Sequence, residues 1–317
     1  MSAGIFRLFL SLLMVLSGTF AVAADNQVDE ILSVMADHIG RDYPLPEIAH
    51  AYTVAIDGWR KDQRFSGLDE CVLARRLTDE LQVVHRDLHL SVVCTRVSGE
   101  AGAPLIGSRH GADGGFQAVE LDRDLPVAYI RSAGPWELND RTFLLASHVM
   151  GMAASARYVI IDVRGNPGGH GEIGRFIASY FFPEGNKGEL YLRGQHRDPG
   201  DEVQKLAVPY VPGQRLNYAR LFILIDHETT SAAEGFAFGL QHMKRATIIG
   251  QNSAGAGITM VQRSLPRGLL MTSPIELNRA PDRTPGWEGT GVIPDIATPP
   301  GQERAAAMAA IRADFQR

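Results

Sequence analysis

The chain has 317 residues, of which 45% are hydrophobic and 21% charged, and its formal net charge is −5 at pH 7. This length and apolar content suffice for one large domain, or for a large domain with a small one. No block of basic residues stands out, which excludes a nucleic-acid-binding footprint, so we expect no nucleic acid among the partners.

The N-terminus predicts a secretory signal peptide over residues 1–23. Arg7 supplies a positive charge, LFLSLLMVLSGTF is an apolar stretch too short to span a membrane comfortably, and Ala21 to Ala23 offer small residues for cleavage. No later segment has the length and apolar character of a transmembrane helix. We therefore expect an exported protein, in the periplasm, that makes no stable membrane insertion after the signal is cleaved.

The next stretch, residues 24–88, predicts a small helical N-terminal subdomain. Apolar residues recur at helical spacing from Val28 to Ile39, and again within YPLPEIAHAYTVAIDGW and GLDECVLARRLTDELQVV. LHLSVVC then alternates as a strand does, and SGEAGAPLIGSRHGADGG predicts a glycine-rich loop without room for an inserted domain.

The two cysteines, Cys71 and Cys94, permit one disulfide in an oxidising compartment. Two free, buried thiols are the alternative, because the sequence does not show how closely the Cα atoms approach. No cysteine pair has zinc spacing and no His-Glu-x-x-His motif occurs, so we expect neither a metal nor another cofactor.

The remainder, residues 89–317, alternates between strand and helix patterns. Strands are predicted at PVAYIRSAGPW, RYVIIDVRG, LFILID and ATIIG, and helices at DRTFLLASHVMGMAASA, EIGRFIASYFF and SAAEGFAFGLQHM. This order predicts an α/β core with a largely parallel sheet. ITMVQRSLPRGLLMTSPIEL predicts a hairpin, and GQERAAAMAAIRADF a C-terminal helix.

Ser231 stands where a predicted strand passes into a helix, in HETTSAAEGFAFGL. One interpretation is a helix cap, because Ser231 and Glu234 have the spacing of a capping box. The other is a nucleophile, since a helix N-terminus favours an alkoxide and the Ala232 amide can join an oxyanion hole. The glycine-rich turn in DVRGNPGGHGEIG could supply further amides, or could be an ordinary tight turn.

A serine nucleophile needs a base, and histidine is the better candidate. Lys244 lies on the same predicted helix, roughly 20 Å from Ser231, and the other lysines lie in polar contexts. His89 in RDLHLSVV is the leading histidine, with His85 and His170 as alternatives; a surface or capping role is the default for each. For the carboxylate that orients the base, GWEGTGVIPDI offers Glu288 and, next to it, Asp295, although a surface turn is the default there.

Three stretches, in this order, resemble the tail-specific (C-terminal-processing) serine peptidases: RYVIIDVRGNPGG, LIDHETTSAAEGFAFGLQHMKRATIIGQNSAGAG and WEGTGVIPDI. The similarity is greater to the branch that includes interphotoreceptor retinoid-binding protein and the tricorn core. The resemblance implies an α/β fold with a ClpP/crotonase-like core and a helical N-terminal subdomain, without the PDZ domain of many relatives.

The resemblance also implies roles for particular residues. They are Ser231 as nucleophile, His89 as base, Glu288 as orienting carboxylate, and the amides of Gly168, Gly169 and Ala232 as oxyanion hole. Two departures stand out. Ala256 occupies the position of the lysine that many members use, and Leu88 that of a second serine found in tricorn.

These features together predict an exported serine peptidase that hydrolyses peptide or protein substrates through an acyl-enzyme on Ser231. A non-catalytic binder of apolar ligands or peptides, with Ser231 only a helix cap, is the alternative, because retinoid-binding relatives share the fold. An acyl-transfer enzyme acting on a non-peptide ester would use the same residues.

Overall fold

The computed structural model describes residues 27–95, 114–184, 189–198 and 200–317. The predicted signal peptide and nearly all of the predicted glycine-rich loop lie outside the described residues. The described residues divide into two compact units, the first formed by 27–95 with Met260–Ile275 and the second by the described part of 114–259 with Glu276–Arg317.

The first unit contains three helices and one strand from the N-terminal part of the chain. Helix α1 covers residues 27–42, α2 is Pro46–Lys61, α3 is Glu70–Val84, and strand β1 is Ser91–Cys94. Asp69 caps α3 by accepting two backbone amides, which satisfies donors that have no partner within the helix. The apolar faces of the three helices enclose a core of their own.

A disulfide joins Cys71, at the start of α3, to Cys94, at the end of β1, within the first unit. The two Cα atoms are 4.9 Å apart. The structure therefore decides between the two alternatives for the cysteines, because it brings together residues that are 23 positions apart in the sequence.

The later elements follow in chain order. They are β2 (Ala118–Leu121), β3 (Val127–Arg131), α4 (Asp140–Met152), β4 (Tyr158–Asp162), α5 (Gly171–Ser179), β5 (Leu190–Gln195), β6 (Glu202–Leu206), β7 (Arg220–Ile225), α6 (Ala232–His242), β8 (Ala246–Gly250), β9 (Ile258–Leu265), β10 (Leu269–Arg279), β11 (Ile296–Ala297) and α7 (Glu303–Phe315).

The sheet of the second unit has six strands in the order β11-β8-β7-β4-β3-β2. All neighbours are parallel except β2, which is antiparallel to β3. Strand β4 is wholly buried, as the continuous apolar run of a parallel strand requires. The predicted α/β core with a largely parallel sheet is confirmed, and β4 and β7 lie side by side, so their carboxyl ends meet at one edge.

Strands β9 and β10 form the predicted hairpin around Pro266–Gly268. Leu265, Leu269 and Met271, close to the turn, belong to the core of the first unit. The base of the hairpin belongs to the second unit, where the end of β10 pairs with β5, and β5 with β6. The sequence patterns did not predict β2, β5, β6 or β11. No helix among the described residues is both long and apolar enough to cross a membrane.

Candidate active site

The turn between β7 and α6 holds Ser231 in an unusual backbone conformation, with φ +55° and ψ −115°. An N-cap residue ordinarily has extended backbone angles, and a non-glycine residue with positive φ costs roughly 1–3 kcal/mol. Ser231 and Glu234 form a capping box, in which the Ser231 side chain faces the backbone amide of Glu234 and the Glu234 carboxylate accepts the Ser231 amide. Ser231 as a whole is half-buried.

Glu234 fixes this turn from within the second unit. It is fully buried, and its Oε2 accepts the Ser231 amide at 2.6 Å. The same carboxylate accepts three further hydrogen bonds, from Ser253 Oγ, Gly255 N and Ala256 N. Four donors on one buried carboxylate compensate its lost hydration, and they join the nucleophile turn to the loop at 253–256. A capping box predicted the first of these contacts but none of the others.

The glycine-rich turn after β4 contacts the serine turn directly. A Cβ on Gly168 would lie 2.7 Å from the Thr230 carbonyl oxygen and 2.8 Å from Ser231 Cβ. Gly168 and Gly169 also have φ of +89° and +121°, which only glycine adopts without strain. The predicted partners therefore meet, and two separate constraints require glycine at Gly168.

The amides of this turn are not equivalent. Gly168 N donates to Asn166 Oδ1 at 2.8 Å, so this amide is already occupied. Trp136 forms a parallel bridge centred on Gly169, which uses the Gly168 carbonyl and the His170 amide. The bridge thus leaves the Gly169 amide unused, and among the described residues neither it nor the Ala232 amide donates a backbone hydrogen bond.

Asn166 is a residue that no sequence pattern singled out. Asn166 is fully buried. Its side-chain Nδ2 donates to the backbone carbonyl of Ser132, and its backbone carbonyl accepts the Thr230 amide. Together with the Gly168 contact, these bonds connect the end of β3, the glycine turn and the serine turn. The Asn-Pro-Gly turn in the sequence was the signal available, but it indicated only a change of chain direction.

Glu288 lies on a loop that packs against the loop at 253–257. Its Oε2 accepts the Gly257 amide at 2.5 Å, and Trp287 Nε1 donates to the Ala256 carbonyl. Ala256 is 2% exposed. Hydrogen bonds thus run from the Ser231 turn through Glu234 to the loop that carries Glu288. Asp295 is accounted for differently, because its carboxylate accepts the Ile248 amide and the Gln241 side chain.

The described lysines offer no base in this region of the second unit. Lys205 donates to Glu276 at 2.5 Å and to Asn278 at 2.7 Å, so its ammonium group is engaged by these two partners. Lys244 was predicted on the nucleophile helix, which is wrong, because α6 ends at His242 and Lys244 follows with φ +54°. Lys187 lies outside the described residues.

His89 belongs to the first unit, in the segment between α3 and β1. It is 6% exposed, and its Nδ1 lies 3.7 Å from Asp87 Oδ1. Burial alone would raise the pKa of Asp87, but the interactions with His89 and Tyr43 outweigh it and lower that pKa, so Asp87 is charged. Two other histidines were candidates for the base. His85 is the C-cap residue of α3, and His170 is exposed and is the N-cap residue of α5.

The predicted site residues thus fall into two sets. Ser231, Ala232, Gly168, Gly169 and Glu288 belong to the second unit, and His89 to the first. In the second unit, a half-buried serine with a strained backbone lies at a helix N-terminus, beside a glycine turn in which the Gly169 amide donates no backbone hydrogen bond. Such an arrangement suits attack on a carbonyl carbon with hydrogen-bond donors for the oxyanion.

The family model described as Peptidase family S41 matches residues 126–298, more than half of the chain. A carboxyl-terminal-processing protease of Picosynechococcus sp. is 27% identical over 173 residues, which are 55% of this chain and 39% of that protein. The chloroplastic carboxyl-terminal-processing peptidase 1 of Arabidopsis thaliana is 30% identical over 145 residues, 46% of this chain and 28% of that protein. The chain therefore spans less than half the length of these curated relatives.

Among solved structures, a lipoprotein from Streptococcus agalactiae has a TM-score of 0.62 to this chain, at 14% sequence identity. The similarity covers 90% of this chain and 96% of that one. At this identity the likeness shows a shared fold.

Proposed function

Because the chain belongs to peptidase family S41, we propose that it is a serine peptidase that hydrolyses peptide bonds in peptide or protein substrates. One observation carries the proposal: Ser231 has φ +55° at the start of α6, and its turn lies against the glycine turn at Gly168. A serine that served only as a cap would have no need of this strain.

In the proposed reaction, Ser231 Oγ attacks the substrate carbonyl carbon while its proton passes to Nε2 of His89. The resulting tetrahedral intermediate collapses as the C–N bond breaks, and the departing amine takes that proton. Water then attacks the acyl-enzyme and gives one proton to His89. The second tetrahedral intermediate collapses as its bond to Ser231 Oγ breaks, and His89 returns the proton to that oxygen as the acid product leaves. Atoms and protons balance with no cofactor.

The oxyanion donors in this proposal are the amides of Gly169 and Ala232. The resemblance implied the Gly168 amide as well, but that amide donates to Asn166. We therefore assign Gly168 a shaping role: its missing side chain lets the turn approach Ser231. Glu288 is the proposed orienting carboxylate, acting on the imidazole directly or through a water molecule.

Three broader assignments belong to the same proposal. The α/β core is ClpP/crotonase-like, with the helical subdomain at 24–88 and the peptidase core at 89–317. Residues 1–23 are a signal peptide, and the protein is exported to the periplasm. Export is supported by the signal-like sequence and is compatible with the disulfide, since oxidising compartments preserve such bonds.

The test is labelling of the mature protein with a fluorophosphonate probe, with the adduct mapped by peptide mass spectrometry. We expect labelling at Ser231 that is lost in Ser231→Ala and reduced at least ~100-fold in His89→Ala. Ser147→Ala and His148→Ala are matched controls, because Ser147 donates to its own helix and His148 is exposed on the same helix.

Each other outcome identifies a different function. Folded wild-type protein that is not labelled would contradict the peptidase and favour the binder of apolar ligands or peptides. Labelling without hydrolysis of any peptide in a mixed library, but with hydrolysis of simple esters, would favour acyl transfer on a non-peptide ester.

A further inference from the structure

The segment Asp87–His89 contains a carboxylate close to the proposed base, and no sequence pattern pointed to a role for it. His89 Nδ1 is buried and has no hydrogen-bond partner among the described residues. The carboxylate oxygen Oδ1 of Asp87 lies 3.7 Å away, within the range of an ion pair with a protonated imidazole.

Asp87 is held firmly in its position. It is 2% exposed, its Oδ1 accepts the backbone amide of His89 at 2.7 Å, and its Oδ2 accepts the hydroxyl of Tyr43 at 2.7 Å. The Gln82 side chain makes two hydrogen bonds to the backbone of Asp87: its Oε1 accepts the amide at 3.0 Å, and its Nε2 donates to the carbonyl oxygen at 2.7 Å. These bonds fix the carboxylate relative to the imidazole through both the main chain and the side chain.

The chemistry of the imidazole then favours one tautomer. A neutral imidazole has one N–H donor and one lone-pair acceptor. If Nδ1 carried the lone pair, that lone pair would face a buried negative carboxylate with no donor between them, which is costly in a low-dielectric site. With the proton on Nδ1, the two groups attract, and Nε2 is left with the lone pair that a general base requires.

We propose that Asp87 is a positioning residue of the reaction, which keeps the His89 proton on Nδ1 and stabilises the imidazolium formed during attack. The inference rests on the proposed function, in which His89 is the base. It adds to the proposed role of Glu288 a carboxylate from the same unit as the histidine, two residues away in the chain. In serine proteases, loss of the comparable carboxylate costs about 10⁴-fold in rate through the wrong tautomer.

The first test compares acylation rates of the full mature chain with the fluorophosphonate probe. We expect Asp87→Asn to slow labelling of Ser231 by at least ~100-fold, and Tyr43→Phe, which removes one bond to the carboxylate, by roughly tenfold. Asp29→Asn is the control, since it removes a carboxylate that pairs with Arg60 on the surface of the same unit. With a cleavable peptide, the loss is expected in kcat, with KM unchanged.

The second test measures the tautomer itself, independently of activity. In the ¹⁵N-labelled wild-type protein, at a pH where the imidazole is neutral, two-bond ¹H–¹⁵N correlations distinguish a protonated Nδ1 from a protonated Nε2. The His89 signals are assigned by their absence in His89→Gln. We expect the proton on Nδ1 in wild type and in Glu288→Gln, and a larger Nε2–H population in Asp87→Asn.

Several results would overturn the inference. A wild-type His89 protonated on Nε2 would do so even if Asp87→Asn fails to fold. Folded Asp87→Asn that labels within twofold of wild type would do so as well, and a large loss confined to Glu288→Gln would assign the orienting role to Glu288 alone. Absence of labelling in wild type, with the Nδ1 tautomer present, would instead refute the proposed function and leave the placement of Asp87 intact.

Discussion

At the scale of single residues, the contact between Gly168 and Ser231 couples the two turns of the candidate site. Gly168 combines a positive φ with a close approach to the serine turn. Gly213 has a similar φ of +80°, but nothing lies within 4 Å of the position that a Cβ would occupy there. Comparison of alanine variants at Gly168 and Gly213 therefore distinguishes the effect of backbone strain, which both share, from the effect of steric contact, which only Gly168 has.

We expect Gly168→Ala to reduce fluorophosphonate labelling of Ser231 at least tenfold, because the new methyl group must displace the Thr230 carbonyl or Ser231 itself. Gly213→Ala should cost about 1 kcal/mol of stability through its φ and leave labelling unchanged. Labelling rates and urea unfolding of both variants check this. Equal labelling of the two alanine variants would show that the contact at Gly168 does not matter for the nucleophile.

Also at the residue scale, the sequence predicts only one of the hydrogen bonds that the Glu234 carboxylate accepts. The spacing of Ser231 and Glu234 correctly indicates that the glutamate accepts the serine amide. It carries no information about Ser253, Gly255 and Ala256, whose donors reach the same carboxylate from a loop about twenty residues further on. Only the packing of β8 beside β7 brings that loop to the start of α6.

At the scale of elements, the disulfide between Cys71 and Cys94 closes a loop that contains most of α3 and the Asp87–His89 segment. Closing a loop of this length lowers the entropy of the unfolded chain and stabilises the fold by about 3 kcal/mol. The disulfide therefore stabilises the folded state of the segment that carries the proposed base.

We expect the double variant Cys71→Ser, Cys94→Ser to lose about 3 kcal/mol of unfolding free energy. Reductant should lower the thermal midpoint of the wild-type protein toward that of the double variant. The midpoint of the double variant should not change with reductant, so this variant is the matched control. Differential scanning calorimetry with and without reductant measures both. A wild-type midpoint that is insensitive to full reduction, verified by thiol titration, would contradict this role.

At the scale of the whole molecule, acid stability depends on buried ion pairs such as that of Asp162 at the end of β4. Burial alone would raise the pKa of Asp162, but hydrogen bonds from Arg164 and Tyr129 outweigh it and hold that pKa below its ordinary value. Arg131 adds an ion pair at 2.6 Å. A carboxyl group with a lowered folded-state pKa stabilises the protein above its unfolded-state pKa, and this contribution disappears as pH falls through the folded-state value.

We therefore expect the free energy of unfolding to fall with pH below about 4. Asp162→Asn should lose about 3 kcal/mol at neutral pH, because it removes a buried carboxylate that pairs with the half-buried Arg131 and Arg164, and should show a flatter acid limb. Urea unfolding from neutral pH to pH 3 tests both, with the exposed Asp124→Asn as control. An acid limb as steep in Asp162→Asn as in wild type would assign the pH dependence to other carboxyl groups.

The sequence by itself determined the elements whose patterns are local. Short apolar runs predicted β3, β4, β7 and β8, and periodic patterns predicted the N-terminal helices and the β9–β10 hairpin, because burial leaves either a continuous apolar run or a period that can be read along the chain. It did not predict β5 and β6, since the partner of β5 is the distant end of β10, and β6 carries polar and exposed residues.

The same division applies to the candidate site. Ser231, Gly168 and Gly169 could be found from the sequence, because a helix start and a tight turn have local signatures. The contacts of Asn166 and Asp87, the contacts of Glu234 with the loop at 253–256, the hydrogen bond of the Gly168 amide and the Cys71–Cys94 bond were decided by tertiary structure alone. Each depends on hydrogen bonds or contacts between segments that only the folded chain brings together, and such pairings leave no periodic trace in the sequence.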